Sequence, residues 1–588
     1  MLEAPRTTSP AAAPSPYRIV GWIALALGAA VALMVATTRP TLAHGSDHQH
    51  GWPMIGHDVN DTRSQPDEFR IGPRNVARLF PRWTLTTAGD VSATPAVGRA
   101  FADDNDGDED DESSLNAQLS TFNSGSTLHG HHDRGGRGLA VFFPDWGGML
   151  WKVDAESGQV LWSKAISSYN GIDKSISRTS PVLAHGLVIV ADLNGNMMAV
   201  DASSGDLRWI TELDPNPGAI ITASPIVHGN RLYANTSSNE TSLPRTMPGY
   251  QCCTFRGSTL ALDVDTGRIV WQSFVLPDNG GQPGAFAGGA FVNPPAIDLE
   301  HGLVYGAAGQ TYTQPAAVTA CLAAAPGGWS EACIPAGAHF NSVVAFDIHT
   351  GHIRWAFRGA GLDAWQLACG SQPASVTWCP PAATATGPAS LFSIWDFAGS
   401  GANVFRARVN GESRDVVGIG QKSGVYWALD AATGKYLWSR LVGPGSDPGG
   451  IQWGTAYDGD RIYAAIGHNT HQAYTLPSGE TITGGSWAAL SPRTGQILWQ
   501  TADPLGAPDL ASLTVANGVV YAGSMEHTGD QMYALDASTG SILWRFTAGG
   551  SVVGGPAVVR GSVYWGSGYA RTGGVGNNKF YAFSIDGR

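Results

Sequence analysis

Short apolar runs along this chain end at an Asp, pass through a few polar residues to a Gly, restart as a three-residue strand and reach a Trp. The phrase recurs seven times, with Ser491 in place of the Asp in the sixth copy: VDAESGQVLW, VDASSGDLRW, LDVDTGRIVW, FDIHTGHIRW, LDAATGKYLW, LSPRTGQILW and LDASTGSILW. Its Trp residues are Trp162, Trp209, Trp271, Trp355, Trp438, Trp499 and Trp544. Each copy reads as a hairpin, with Asp and Gly forming the turn and Gly supplying a positive φ. The Trp falls in an outer strand, where a flat ring can cover the neighbouring sheet. Phrases such as SATPAV (92–97), RTSPVL (178–183) and ASPIVHGNRLYA (223–234) read as the inner strands of the same unit. Successive Trp residues lie 45 to 84 residues apart, the spacing of propeller blades with loop insertions. The closing FYAFSIDGR (580–588) stops before its Trp, and LFPRWTL (79–85) supplies a Trp strand with no turn before it. Joined, they complete another blade and remove the open sheet edges. The pattern predicts an all-β, eight-bladed β-propeller closed by its N- and C-terminal strands.

Composition agrees. Of 588 residues, 76 are Gly and 20 are Trp, and only 14% are charged, which excludes a disordered chain and favours short strands joined by tight turns. The net charge of −13 excludes a general nucleic-acid surface, which needs clustered Lys and Arg. Eight acidic side chains fall within DDNDGDEDDE at 103–112, interrupting the first blade inside an insertion at about 98–138. This reads as a solvated loop or, less simply, a metal-binding one, although Ala102 stands where an EF-hand frame wants its first ligand. His129, His131 and His132, like His44, His48 and His50, leave a surface tract and a metal tract both open.

Residues 19–36 form one uncharged apolar run between Arg18 and Arg39, followed by Thr41-Leu42-Ala43. The run reads as an export signal or an uncleaved membrane anchor. Either divides the chain into 1–43 and a propeller over 44–588, placed in the periplasm or outside the cell. The six cysteines, Cys252-Cys253, Cys321 with Cys333 and Cys369 with Cys379, read as close-range disulfides, as export permits. None lies in a haem-attachment or zinc-ribbon spacing.

Candidate chemistry stands out in three places. Adjacent Cys252 and Cys253 are the first. The second is Asp396, set between Trp395 and Phe397, where desolvation favours a general base. The third is a scatter of polar residues at inner-strand ends, Arg178, Thr222, Ser237, Glu240, Arg256, Gln310 and Lys422, which a propeller turns toward its central channel.

The Trp-turn repeats resemble those of quinoprotein alcohol dehydrogenases. CCTFRGS (252–258), LPDN (276–279) and QKSGVYWALD (421–430) are similar to the polyvinyl-alcohol-dehydrogenase-like branch. The resemblance runs from about Trp52 to Arg588 and implies pyrroloquinoline quinone (PQQ) and calcium at the propeller axis. It gives Asp396 the part of catalytic base and of metal ligand, Glu240 that of calcium ligand, and Lys422 that of the cation bonding the quinone oxygens. Ala398 matches the calcium-type pattern, where lanthanide-type relatives carry a second Asp. Thr222 and Ser237 fall at cofactor hydroxyl contacts, Trp453 and Trp487 at channel-lining tryptophans, and Arg178 at a carboxylate-binding arginine. Cys252-Cys253 matches the vicinal pair that contacts the cofactor. Two positions depart from the pattern: Phe291 replaces the Trp on which the quinone stacks, and Gln310 replaces an Asn metal ligand.

The expectation is an exported, PQQ- and calcium-dependent dehydrogenase of a small or polymeric alcohol, such as polyvinyl alcohol. It would pass electrons to a separate acceptor, a cytochrome c or a quinone. The alternatives are a propeller scaffold that binds partner proteins and a degenerate quinoprotein that has lost its cofactor.

Overall fold

The computed structural model describes residues 51–99, 138–326, 330–359, 396–397, 399–446 and 448–588. The apolar run at 19–36, the acidic and His-rich insertion, Trp395, Ala398, Cys369 and Cys379 lie outside the described residues. No helix among the described residues is long and apolar enough to cross a membrane.

Eight antiparallel sheets, each of four main strands, follow one another along the chain. Blades 1 to 7 occupy 96–165, 182–212, 226–274, 296–358, 402–441, 449–502 and 514–546. In each, the chain enters at the innermost strand and leaves at the outermost. Blade 8 takes its three inner strands from Ala557–Val559, Ser562–Ser567 and Lys579–Ile585. Its outer strand is Leu79–Thr86, antiparallel to Lys579–Ile585 with Leu79 opposite Ile585. The predicted closure is therefore the one observed. Blade 1 is continuous across the insertion, because Arg99 pairs directly with Leu139.

The repeated phrase encodes the joint between blades. The turn glycines Gly158, Gly205, Gly267, Gly351, Gly434, Gly495 and Gly540 all have φ between 69° and 74°, a region any side chain would strain. The preceding Asp caps the turn, as where Asp154 Oδ1 accepts the Ser157 N–H at 2.8 Å. Each of these glycines also lies under the Trp ring of the blade before it, so a methyl group there would strike the indole. The indole N–H completes the contact: Trp83 donates to Ala155 O, Trp162 to Ala202 O, Trp355 to Ala431 O and Trp544 to Leu79 O. Trp209, Trp271, Trp438 and Trp499 do the same to Val264, Ile348, Pro492 and Ala537. In every blade the register shifts at the residue just before the Trp. Such a bulge re-aims the following side chain, here onto the next blade.

The segment 51–65 runs along the innermost strands as a strap. It bonds through backbone or side chain to Val97, Leu183, Ile297, Val404, Tyr457 and Val515, and Gln65 Nε2 donates to Val558 O. Those partners belong to seven blades, and Met54 joins the apolar cluster containing Ile226 of blade 3. Two buried charges sit on the strap. Asp61 Oδ1 and Arg63 Nη2 are 3.4 Å apart, both side chains 1% exposed, and neither carboxylate oxygen of Asp61 is hydrogen-bonded. Burial pushes the Asp61 carboxyl up to about 7, against the pull of Arg63 and with a smaller push from Asp58.

Candidate functional site at the loop face of the propeller

Strand alternation sends the loops between second and third strands, and between successive blades, to one face. Asp396, Glu240, Gln310 and Lys422 all lie in such loops. Lys422 follows the second strand of blade 5, and Asp396 lies in the connection from blade 4 to blade 5. The Lys422 N–H donates to Asp396 O at 3.2 Å, and Lys422 Nζ lies 2.9 Å from Asp396 Oδ2, the side chains 12% and 4% exposed. A side chain on Gly399 would crowd Lys422 and Gln452, so glycine there lets the two loops close on each other. The buried Gln452 Oε1 has no hydrogen-bond partner.

Next to Asp396, the Trp453 N–H donates to Gly399 O. Trp453 also lines a cavity on the axis, shared with Arg178, Thr222, Asn293 and Ser512 and bounded by Ile55 of the strap. Three predicted cofactor residues from three blades thus meet there. Thr222 is held by a hydroxyl chain: its Oγ1 lies 2.7 Å from Ser237 Oγ, and Ser237 donates to the Phe291 carbonyl. Ser237, 2% exposed, supports that wall and does not line the cavity.

Glu240 is fully buried. Its Oε1 accepts the Tyr250 hydroxyl at 2.7 Å, the Thr254 N–H at 2.7 Å and the Thr254 hydroxyl at 3.2 Å. Its Oε2 accepts the Phe255 N–H at 2.8 Å. The carboxylate therefore anchors the loop that carries the disulfide between Cys252 and Cys253. Both cysteines are buried in an apolar cluster with Phe255, Ala287 and Tyr312. Tyr312 is a site residue that the sequence reading missed. Burial raises its phenol pKa, and Glu240 and Asp396 raise it further while Lys422 opposes them, so one buried phenol feels all three charged groups. Its only sequence signal is its place two residues beyond Gln310.

Several expectations need correction. The residues predicted to hold a metal have protein partners as placed: donors of its own loop engage Glu240, Lys422 lies against Asp396, and Gln310 is half-buried with its backbone carbonyl accepting the Gly289 N–H. Phe291 offers no stacking face, because it is fully buried in the apolar core and its ring fills the space beside Gly306. Trp487 is likewise a core residue, fully buried with its ring 4.9 Å from Tyr533 between blades 6 and 7. Arg256 turns outward, its guanidinium 4.2 Å above the Phe274 ring and 3.3 Å from Asp278. The Cys321–Cys333 pairing is observed.

An eight-bladed propeller with Trp-locked blades and a buried Asp–Lys pair above an arginine-bearing axial cavity defines a quinoprotein-like β-propeller. The chain belongs to the PQQ_2 family, described as outer membrane protein assembly factor BamB, which it matches over residues 103–357 and 483–588. It is 28% identical to the polyvinylalcohol dehydrogenase of Sphingopyxis sp. (strain 113P3) over 507 residues, 77% of this chain and 70% of that protein. It is 22% identical to a quinohemoprotein alcohol dehydrogenase of Comamonas testosteroni, over 75% of this chain and 54% of that one. The crystal structure of quinohemoprotein alcohol dehydrogenase from that organism superimposes with a TM-score of 0.62 at 16% identity, over 92% of this chain and 81% of the other, which establishes the shared fold.

Proposed function

We propose that this protein is a PQQ-dependent alcohol dehydrogenase of the polyvinyl-alcohol-dehydrogenase type. The observation that carries the reading is the buried Asp396–Lys422 pair tied through Gly399 to the Trp453 wall of the axial cavity. The long match to polyvinylalcohol dehydrogenases supports a secondary, polymeric alcohol as substrate.

The donor set suits a quinone bearing carboxylates, but the cavity as placed, roughly 40 Å³, is far smaller than such a molecule, so binding requires its walls to move apart. Arg178 supplies a cation suited to bidentate carboxylate binding, Thr222 a positioned hydroxyl and Trp453 an indole wall. When bound, PQQ would supply an o-quinone able to accept two electrons. Asp396 takes the hydroxyl proton of the substrate as the carbinol carbon is oxidised. Lys422 sets the direction of that carboxylate through its bond to Oδ2 and offers an ammonium to negative charge developing nearby. Burial of Tyr312 and the Cys252-Cys253 loop excludes water from the same end of the channel.

Calcium does not fit the carboxylates as placed. It would have to take Glu240 from four protein donors and Asp396 from Lys422, and no step here uses it. The apolar run at 19–36 supports export, by cleavage or as an anchor, with electrons leaving to a cytochrome c or a quinone.

The test is a dye-linked alcohol assay of the purified protein titrated with PQQ, alongside Asp396→Asn. Saturable PQQ uptake by both proteins, with alcohol-driven dye reduction only in the unaltered one, is expected. Absence of uptake at micromolar PQQ would remove the enzyme reading in favour of a scaffold.

A further inference from the structure

The opposite face of the propeller carries a second cavity, of roughly 340 Å³, at the seam where blade 8 meets blade 1. Its residues include the hairpin turns at Ala155–Glu156 and Arg560–Gly561, with Arg70 from the connection before the closing strand, Arg82 from that strand and Arg588 after the last strand, so it lies at the other ends of the strands from Asp396 and Lys422. Arg70, Arg82, Arg560 and Arg588 surround it, and Glu156 is the one acidic side chain among its lining residues. Glu156 is already engaged, its Oε1 lying 3.2 Å from Arg82 Nη2. Arg70 Nη1 donates to the Arg560 backbone carbonyl at 3.0 Å, which draws those two arginines to one rim.

The lining also holds Ser562, Tyr564 and Ser584, which are 6%, 3% and 3% exposed. Tyr564 gives its hydroxyl to Ala155 O at 3.0 Å, whereas Ser584 Oγ is buried with no hydrogen-bond partner. A buried hydroxyl left unpaired costs stability unless something reaches it.

Four guanidinium groups stand against Glu156 in the lining and against Glu68, bonded to the Gly561 and Arg70 N–H groups, and Asp586, beside Arg588, just behind it, which leaves a small local positive excess. A concave wall focuses such a potential toward its mouth. Guanidinium forks match the paired oxygens of phosphate and carboxylate, and the volume falls within the range of small-molecule sites.

We propose that this seam cavity binds a multiply charged oxyanion, a phosphate ester or a polycarboxylate. Arg560 and Arg588 clamp the anion at the rim, and Ser584 donates to it from the interior. The site is separate from the dehydrogenase centre, and its occupancy ties the closing strand Leu79–Thr86 to blade 1 through Arg82.

The experiment is calorimetric titration of the full protein with inorganic phosphate and, separately, with tricarballylate, against chloride at matched ionic strength. The variants are Arg560→Glu/Arg588→Glu, whose side chains are exposed, and Ser584→Ala. Saturable binding of either anion is expected, weakened about tenfold or more by the charge reversal and less by Ser584→Ala, about what losing charge-assisted contacts gives. Alcohol turnover should be unchanged in both variants, so failure here would leave the dehydrogenase reading intact. Binding by phosphate alone or tricarballylate alone would identify which oxyanion the site takes. Equal binding by the charge-reversed variant, or no saturation by either anion, would overturn the proposal.

Discussion

Replacing Asp61 with Asn asks whether burial or Arg63 decides the charge on the strap. Asn keeps the shape of the side chain and removes its titration. In the unfolded chain Asp61 loses its proton near 3.8, and in the folded protein near 7. Between those values the folded state holds a proton that the unfolded state has released. Stability is therefore fully present below about pH 4 and is lost as pH rises toward 7. At about 1.4 kcal/mol per pKa unit the whole loss is on the order of 4 kcal/mol, with about 2 to 3 kcal/mol of it between pH 5 and pH 8. The assay is urea unfolding of both proteins across that range, followed by tryptophan fluorescence. Asp61→Asn should gain on the unaltered protein by that amount as pH rises. A difference that stays constant with pH would show that Arg63 holds Asp61 as an ordinary carboxylate.

Other outcomes follow from the blades and the site. Lys422→Ala should lower alcohol turnover by about 10² to 10⁴, the usual span for a positioned acid–base group, while Arg178→Ala should weaken PQQ uptake, both read in the dye-linked assay. Trp355→Ala removes a ring that covers the Gly434 turn and bonds Ala431 O, and should cost about 2 to 4 kcal/mol in urea unfolding. Gly434→Ala, at φ 69° against the same ring, should cost about 1 to 3 kcal/mol by strain and displacement. Asp509 is fully buried, and burial, with Asp503 beside it, raises its carboxyl well above the ordinary range. Asp509→Asn should accordingly become more stable relative to the unaltered protein as pH rises above the ordinary carboxylate range, measured by thermal unfolding at several pH values.

The blades are legible because their joints are made by side chains at fixed offsets. Asp154, Gly158 and Trp162 each do one physical job, and the spacing of those jobs shows in the residue letters. The bulge before each Trp is not legible, since Leu161, Arg208 and Val270 serve equally well in a position that only re-aims the next residue. The strap is hidden for a related reason: its bonds to Leu183, Val404 and Tyr457 run through the backbone, which has no residue signature. In the site, Asp396 pairs with Lys422, and Arg178, Thr222 and Trp453 share one cavity. Phe291 and Trp487 misled because a resemblance aligns positions, whereas the direction of a side chain depends on local packing. Gly306 leaves room that Phe291 fills, and Ser486–Leu490 faces a neighbouring blade with its large ring. Tyr312 went unseen because a lone Tyr in a short strand is ordinarily a packing residue.

The strap also sets an order on assembly. Gln65 and its partner Val558 are separated by 493 residues, and the outer strand at Leu79–Thr86 must wait for Lys579–Ile585. At about 5 to 20 residues per second, residues 51–86 exist for roughly half a minute or more before their last partners are made. In that interval a hydrophobic strand and a row of unpaired backbone groups have no place to go, the condition under which chains pair with their neighbours. A permuted chain that begins at blade 1 and carries 51–86 after residue 588 would synthesise those partners in succession. It should aggregate less during synthesis than the natural order, even though the finished ring would contain the same bonds.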